Sequence, residues 1–228
     1  MPAADGARPR GELRAFTGRY VPGVCFGSGH CLCLYDFDAT PTSRGSGGEV
    51  WLVTPDDVRI AYVDDHGPEV GAASTVGRYH ALDRSVAAEI DREVGDDRIT
   101  LSVRGDDGTA IDWTVWLTRP PLARLVALAG RLTPRVVGGS TVCVGASQVA
   151  IDRLFDRFSV RVAGRTETGA DYRWAPTDVA LVDGGRATLD GRDLGDVVAP
   201  PRPITFGDVR APYPPAVLAG DLLLEYPA

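Results

Sequence analysis

Lysine is absent from all 228 residues, as is asparagine, and Gln148 is the single glutamine. The 24 cationic side chains are therefore all arginine, a pattern that a GC-rich coding sequence produces. Whatever its origin, the missing amine removes whole reaction classes. A Walker-type phosphate loop and a protein kinase both place lysine on phosphates. Pyridoxal chemistry and Schiff-base decarboxylases or aldolases need a side-chain amine as nucleophile. None can be built from this chain.

Histidine is scarce too, at three residues, and no HExxH pattern occurs, so a helical zinc site is excluded. A dinucleotide fingerprint fails: Gly27 and Gly29 give G-S-G, but Leu32 stands where the third glycine belongs. No run is long and apolar enough to span a bilayer. The opening MPAADGARPRGELRAF lacks the apolar stretch of a secretory signal, so the expected setting is the reducing cytoplasm, with the cysteines as thiols. A formal charge of −7 repels phosphate backbones, so no nucleic-acid partner is expected, and no membrane partner either.

What is present points to strands. Residues 1–11 are polar and rich in Pro and Gly, and read as a disordered arm before a single domain over 12–228. VCFGSGHCLCLYDF (24–37) reads as a strand pair or a bent strand, and TPTSRGSGGE (40–49) as a loop. EVWLVT, VRIAYV and VGAASTV follow at the spacing of an antiparallel meander. SVAAEIDREV (85–94) fits a helical stripe or strand alternation, and is read as strand. RITLSV and AIDWTVWL flank GDDG, whose Asp107-Gly108 is a strong hairpin turn.

Pro120 and Pro121 then open a helix, PLARLVALAGRL, which Pro134 closes. TVCV (141–144) reads as a strand, and Ser147 as the cap of a second short helix carrying Ile151, Leu154, Phe155 and Phe158. Strands resume from Ser159 with SVRVAG, YRW, VALV, ATLDG, ITFGDV and VLAGDLLLEY. The expected fold is α+β and predominantly β: a curved antiparallel sheet or partial β-barrel with two short helices in mid-chain.

Chemistry is less legible. Gly145-Ala146-Ser147-Gln148-Val149 approximates a nucleophile elbow, but Val149 replaces the closing glycine and every histidine lies upstream, so Ser147 is read as a cap. Cys25, Cys31 and Cys33 could hold a metal, yet they lack C-x2-C spacing, and His30 falls on the opposite strand face from Cys31 and Cys33. Small buried hydrophobes are the simpler reading for them, with no metal. Asp64, Asp65, His66 and Glu69 crowd a turn that is expected to be solvated. Arg157, Arg161, Arg165 and Arg173 could clamp an anion, or simply form a wet face.

The aromatic pattern is more telling. In DWTVW, Trp116 shares a face with Asp112 and Thr114, while Trp113 shares the other with Val115 and Leu117. Trp51, Tyr62, Tyr172 and Trp174 also lie in expected strands. A curved sheet around a hollow would use such rings as walls. The resulting expectation is a cofactor-independent enzyme of proton-transfer, isomerase, cyclase or lyase type acting on a small, largely apolar or aromatic organic molecule. His30, His80 and Tyr35 are its candidate catalytic groups; Trp51, Tyr62, Trp116, Tyr172, Trp174 and Arg161 are the candidate substrate contacts. The alternative is a non-catalytic ligand carrier or protein-interaction module, with the 121–132 helix as docking face. A homo-oligomer stays open.

Overall fold

A computed structural model describes residues 13–39, 47–64, 81–132, 141–154, 161–206 and 208–225. The strands are β1 (Leu13–Phe26), β2 (Cys31–Ala39), β3 (Gly47–Val53), β4 (Arg59–Asp64), β5 (Arg84–Val94), β6 (Arg98–Gly105) and β7 (Ala110–Thr118). Helices α1 (Pro121–Leu132) and α2 (Thr141–Leu154) follow. After them come β8 (Ala163–Arg165), β9 (Asp171–Leu189), β10 (Arg192–Asp193), β11 (Val197–Val198), β12 (Thr205–Phe206), β13 (Val209–Arg210) and β14 (Ala216–Glu225). The first arm, 1–11, lies outside the described residues.

Nine strands follow one another in a ring: β9, β14, β1, β2, β3, β4, β5, β6, β7, and back to β9. Closure depends on the length of β9. Its first part pairs with β14 and its second with β7, with Leu181 facing both Ala216 and Thr118. All ring pairings are antiparallel except β4–β5. The curved, mostly antiparallel sheet and the two mid-chain helices agree with the sequence pattern.

Two glycines permit the bend. Gly18 on β1 pairs with Gly220 on β14, and the register of each strand shifts at that point against its other neighbour, β2 and β9 respectively. Gly220 has φ +153°, and a Cβ there would strike the Ala175 backbone oxygen. A Cβ on Gly18 would strike the Asp36 carbonyl and lie 2.6 Å from the Phe37 Cα. Pro176 sits opposite Gly220, where the shift excuses a missing N–H.

Strand alternation sorts the side chains into two cores. All nine ring strands send one face into a single, mainly aliphatic cluster, including Leu32, Leu34, Val50, Ile90, Leu101 and Val115, with Phe26, Tyr62 and Trp113 among them. This cluster fills the ring's interior. The other face of β1–β4, β9 and β14 carries the second cluster, which Ala123 and Val126 of α1 and Ile151 of α2 cover. Each such Val, Leu or Ile contributes about 1.5–3 kcal/mol on burial. Helix α1 turns Leu125, Leu128 and Leu132 to solvent.

Four expectations change. TVCV is not a strand but the first turn of α2, because packing of Ile151 and Leu154 on the outer core outweighs the strand preference of two valines. Ser147 consequently lies inside that helix rather than capping it, and no strand-to-helix elbow exists there. The cysteines are not all thiols: Cys25 and Cys31, directly opposed on β1 and β2, form a disulfide. That ties up two of the three sulfurs a metal would need. YRW, VALV and the first three residues of ATLDG are parts of one strand, β9, which ends at Leu189.

Candidate functional site

The ring's interior face ends in charge. Strands β2, β4 and β5 each read apolar, apolar, charged along that face: Leu32-Leu34-Asp36, Ile60-Tyr62-Asp64 and Ala88-Ile90-Arg92. The pairing registers line these ends up. Asp178 faces Ala219, Ala219 faces Arg19, Arg19 faces Asp36 and Asp36 faces Gly48. Asp64 follows Val63, the partner of Glu49, and so continues the row beside Gly48.

Arg92 reaches into this row over Gly48, where a Cβ would stand 2.8 Å from its Nη1. It donates from Nη1 to Asp64 at 3.3 Å and lies with Nε 2.9 Å from Asp36 Oδ1. Arg19 donates from Nη1 to Asp36 Oδ2 at 3.1 Å. Both aspartates are buried, at 4% and 5% exposure, whereas both arginines keep 30% of their side chains exposed. Burial raises the Asp36 carboxyl above its ordinary value, against the opposite pull of Arg92 and Arg19. A carboxyl with a perturbed proton affinity beside two guanidinium groups marks a functional-site candidate.

Next to this row opens a cavity of about 390 Å³. Its floor is apolar, from Ile99, Leu117, Ala180 and Val217, and its rim is charged, from Arg19, Arg119, Asp96 and Asp178. Arg119 is held firmly: Nε and Nη2 donate to Asp178 Oδ2 at 3.3 and 3.1 Å, and Nη1 donates to the Asp96 carbonyl. Asp178 also accepts from the Val179 N–H at 2.9 Å. Arg19 differs. Among the described residues it donates only through Nη1, so its Nε and Nη2 hydrogens remain for a ligand.

The residues expected from the sequence lie elsewhere. Tyr35, Trp51, Tyr172 and Trp174 do come together, but on the outer face beneath the helices. There Tyr35 lies 4.9 Å from Trp51 by ring centroids, and Tyr20 meets Trp174 edge-on at 5.7 Å. Trp51 Nε1 donates to the buried Glu49 carboxylate at 3.0 Å. The rings pack against one another on that face, with Tyr20 stacked on Tyr35 at 6.2 Å. Burial pushes the hydroxyls of Tyr20, Tyr35 and Tyr172 upward. Tyr62 points into the ring's aliphatic core, Arg161 is exposed, and Trp116 is 45% exposed, on a face that looks to solvent after all.

His30 sits in the β1–β2 hairpin with Nδ1 3.1 Å from Ser28 Oγ. Partial burial lowers its proton affinity. Six residues separate it from Asp36, about 20 Å along a strand at roughly 3.3 Å per residue, so it belongs to the opposite end of the ring. His66 and His80 lie outside the described residues, as do Asp65, Glu69 and Arg157.

Cys33, between the disulfide and Tyr35, is fully buried and places its Sγ 3.5 Å from the Pro22 carbonyl. Burial pushes this thiol up to about 12, with a weaker opposite pull from Arg59. It should therefore resist alkylation in the native protein and react only on unfolding; mass spectrometry after iodoacetamide treatment, with and without denaturant, checks this. Labelling at the native rate of a free thiol would contradict it. Among the described residues no group of His, Cys, Asp and Glu is arranged to hold a metal.

No protein-family model matches the sequence, and no curated protein sequence matches it. Among solved structures, the chain is similar to acetoacetate decarboxylase from Legionella pneumophila subsp. pneumophila str. Philadelphia 1. That likeness has a TM-score of 0.40 and 11% sequence identity, and covers 99% of this chain and 90% of the other. A likeness at this level transfers neither chemistry nor residue roles.

Proposed function

We propose that this chain binds a small organic acid at the charged end of the strand ring and acts on it by proton transfer without a cofactor. The observation that carries the proposal is Arg19, anchored by a buried aspartate yet with open N–H groups on a cavity whose floor is apolar. A carboxylate head meets those donors as a charge-assisted hydrogen-bond pair, with Arg119 adding positive field. The hydrocarbon body lies against Ile99, Leu117, Ala180 and Val217. Asp178 and Asp96 line the same cavity, and in this reading their carboxylates take a proton from the carbon beside the head.

Calorimetric titration with butyrate, hexanoate and octanoate tests the binding. Affinity should rise about fourfold per added methylene, at roughly 0.8 kcal/mol each, until the cavity is full. Arg19→Ala should weaken hexanoate binding at least about tenfold. Incubation of a bound acid in D₂O, followed by NMR, tests the chemistry. Deuterium should enter the carbon next to the carboxylate; binding without any exchange would make the chain a carrier instead.

A further inference from the structure

We infer that Asp36 is a proton-operated gate on this cavity: when it takes up a proton it lets go of Arg19, and anion binding tightens. The inference rests on reading the cavity as an anion site and concerns its regulation. Among the described residues Asp36 is the only acceptor for Arg19, at 3.1 Å, and its other oxygen lies 2.9 Å from Arg92. With a charged Asp36, the ion pair claims part of the Arg19 guanidinium and its negative charge opposes any anion in the cavity. With a neutral Asp36, one carboxylate charge is gone and Arg19 is free to turn fully to the ligand. The proton comes from solvent and binds a carboxylate oxygen; no other bond changes.

Facing Asp36 are Arg19 from β1, Arg92 from β5, Asp64 from β4 and Asp38 from its own strand. β3 presents Gly48 opposite it, while Glu49 points to the outer face and bonds Trp51. Further along the row stand Asp178 with Arg119, and Asp221, which accepts from Thr17 Oγ1 at 2.6 Å. Desolvation outweighs both arginines at Asp36, so its proton affinity is raised above that of an ordinary aspartate.

The test is binding of 1-hexanesulfonate, an anion that stays charged throughout, measured by calorimetry from pH 7.5 to 4.5. Wild-type affinity should rise about tenfold as pH falls, the scale expected from removing one nearby charge at partial exposure. Asp36→Asn should bind tightly at every pH, with the slope gone. Gly48→Ala provides a second reading if that variant misfolds. Its Cβ displaces Arg92, which normally holds the Asp36 proton affinity down, so the binding transition should move to higher pH. Binding at equal strength across the range, or an Asp36→Asn variant that keeps the wild-type slope, would overturn the gate while leaving the anion site standing. No binding at any pH would remove both.

Discussion

Gly220→Ala is expected to destabilise the protein by about 3 kcal/mol, because the position combines a forbidden backbone angle with a collision that cannot relax. Its φ of +153° is one that side-chain-bearing residues rarely adopt, and the atom met by a new Cβ is the Ala175 backbone oxygen of the paired strand. Relief would require β14 to part from β9, and that pairing closes the ring. Guanidinium unfolding should show a lower midpoint with an unchanged slope. A shift below about 1 kcal/mol would mean that the bend at Gly18 and Gly220 is not tight.

Arg92→Ala should cost a similar amount, about 3 kcal/mol at neutral pH, by a different route. The arginine is the shared partner of two buried carboxylates, Asp36 and Asp64, and its removal leaves negative charge in an apolar ring with less compensation. The sign of the pH dependence follows. Asp36 already has a raised proton affinity in the folded state, so the folded protein favours its protonated form. The stability this group contributes is present in acid and is lost as pH rises through its folded value. Without Arg92 that value rises further. The gap between wild type and variant should therefore be wide at pH 7 and narrower at pH 5. A gap that widens on acidification would show that the row is not balanced as described.

Strand periodicity made much of the fold legible. Cys31, Cys33 and Tyr35 do share one face of β2, with Leu32 and Leu34 on the other, and the ambiguous segment around Ile90 is a strand. What periodicity does not reveal is which face looks inward. Tyr35, Trp51 and Trp174 share a face as their spacing requires, but that face is turned out toward the helices, and the plainer aliphatic face fills the ring. The choice depends on long-range pairings, β9 with β7 and β1 with β14, that no local pattern encodes. TVCV misleads for a related reason: its valines favour a strand, yet the downstream Ile151 and Leu154 supply the packing energy that holds the segment as helix.

The charged row did leave a trace in the sequence. An apolar alternation that ends in an ionisable residue on the same face is costly unless the charge is paired, and it recurs at Asp36, Asp64 and Arg92. One such strand is unremarkable, but several with opposite signs predict inward-facing pairs. Residue type alone does not mark the row, because His30 and the aromatic cluster lie elsewhere. Of the arginines at the cavity, Arg19 belongs to the row itself, on β1, and Arg119 directly follows the end of β7.

Guanidinium-selective NMR during titration with hexanoate tests the central claim most directly. The account predicts saturable shifts of the Arg19 and Arg119 Nε–H resonances, none at the remote, exposed Arg104, and loss of the response in Arg19→Ala. Unmoved Arg19 and Arg119 signals, or an Arg19→Ala protein that binds hexanoate as tightly as wild type, would contradict it.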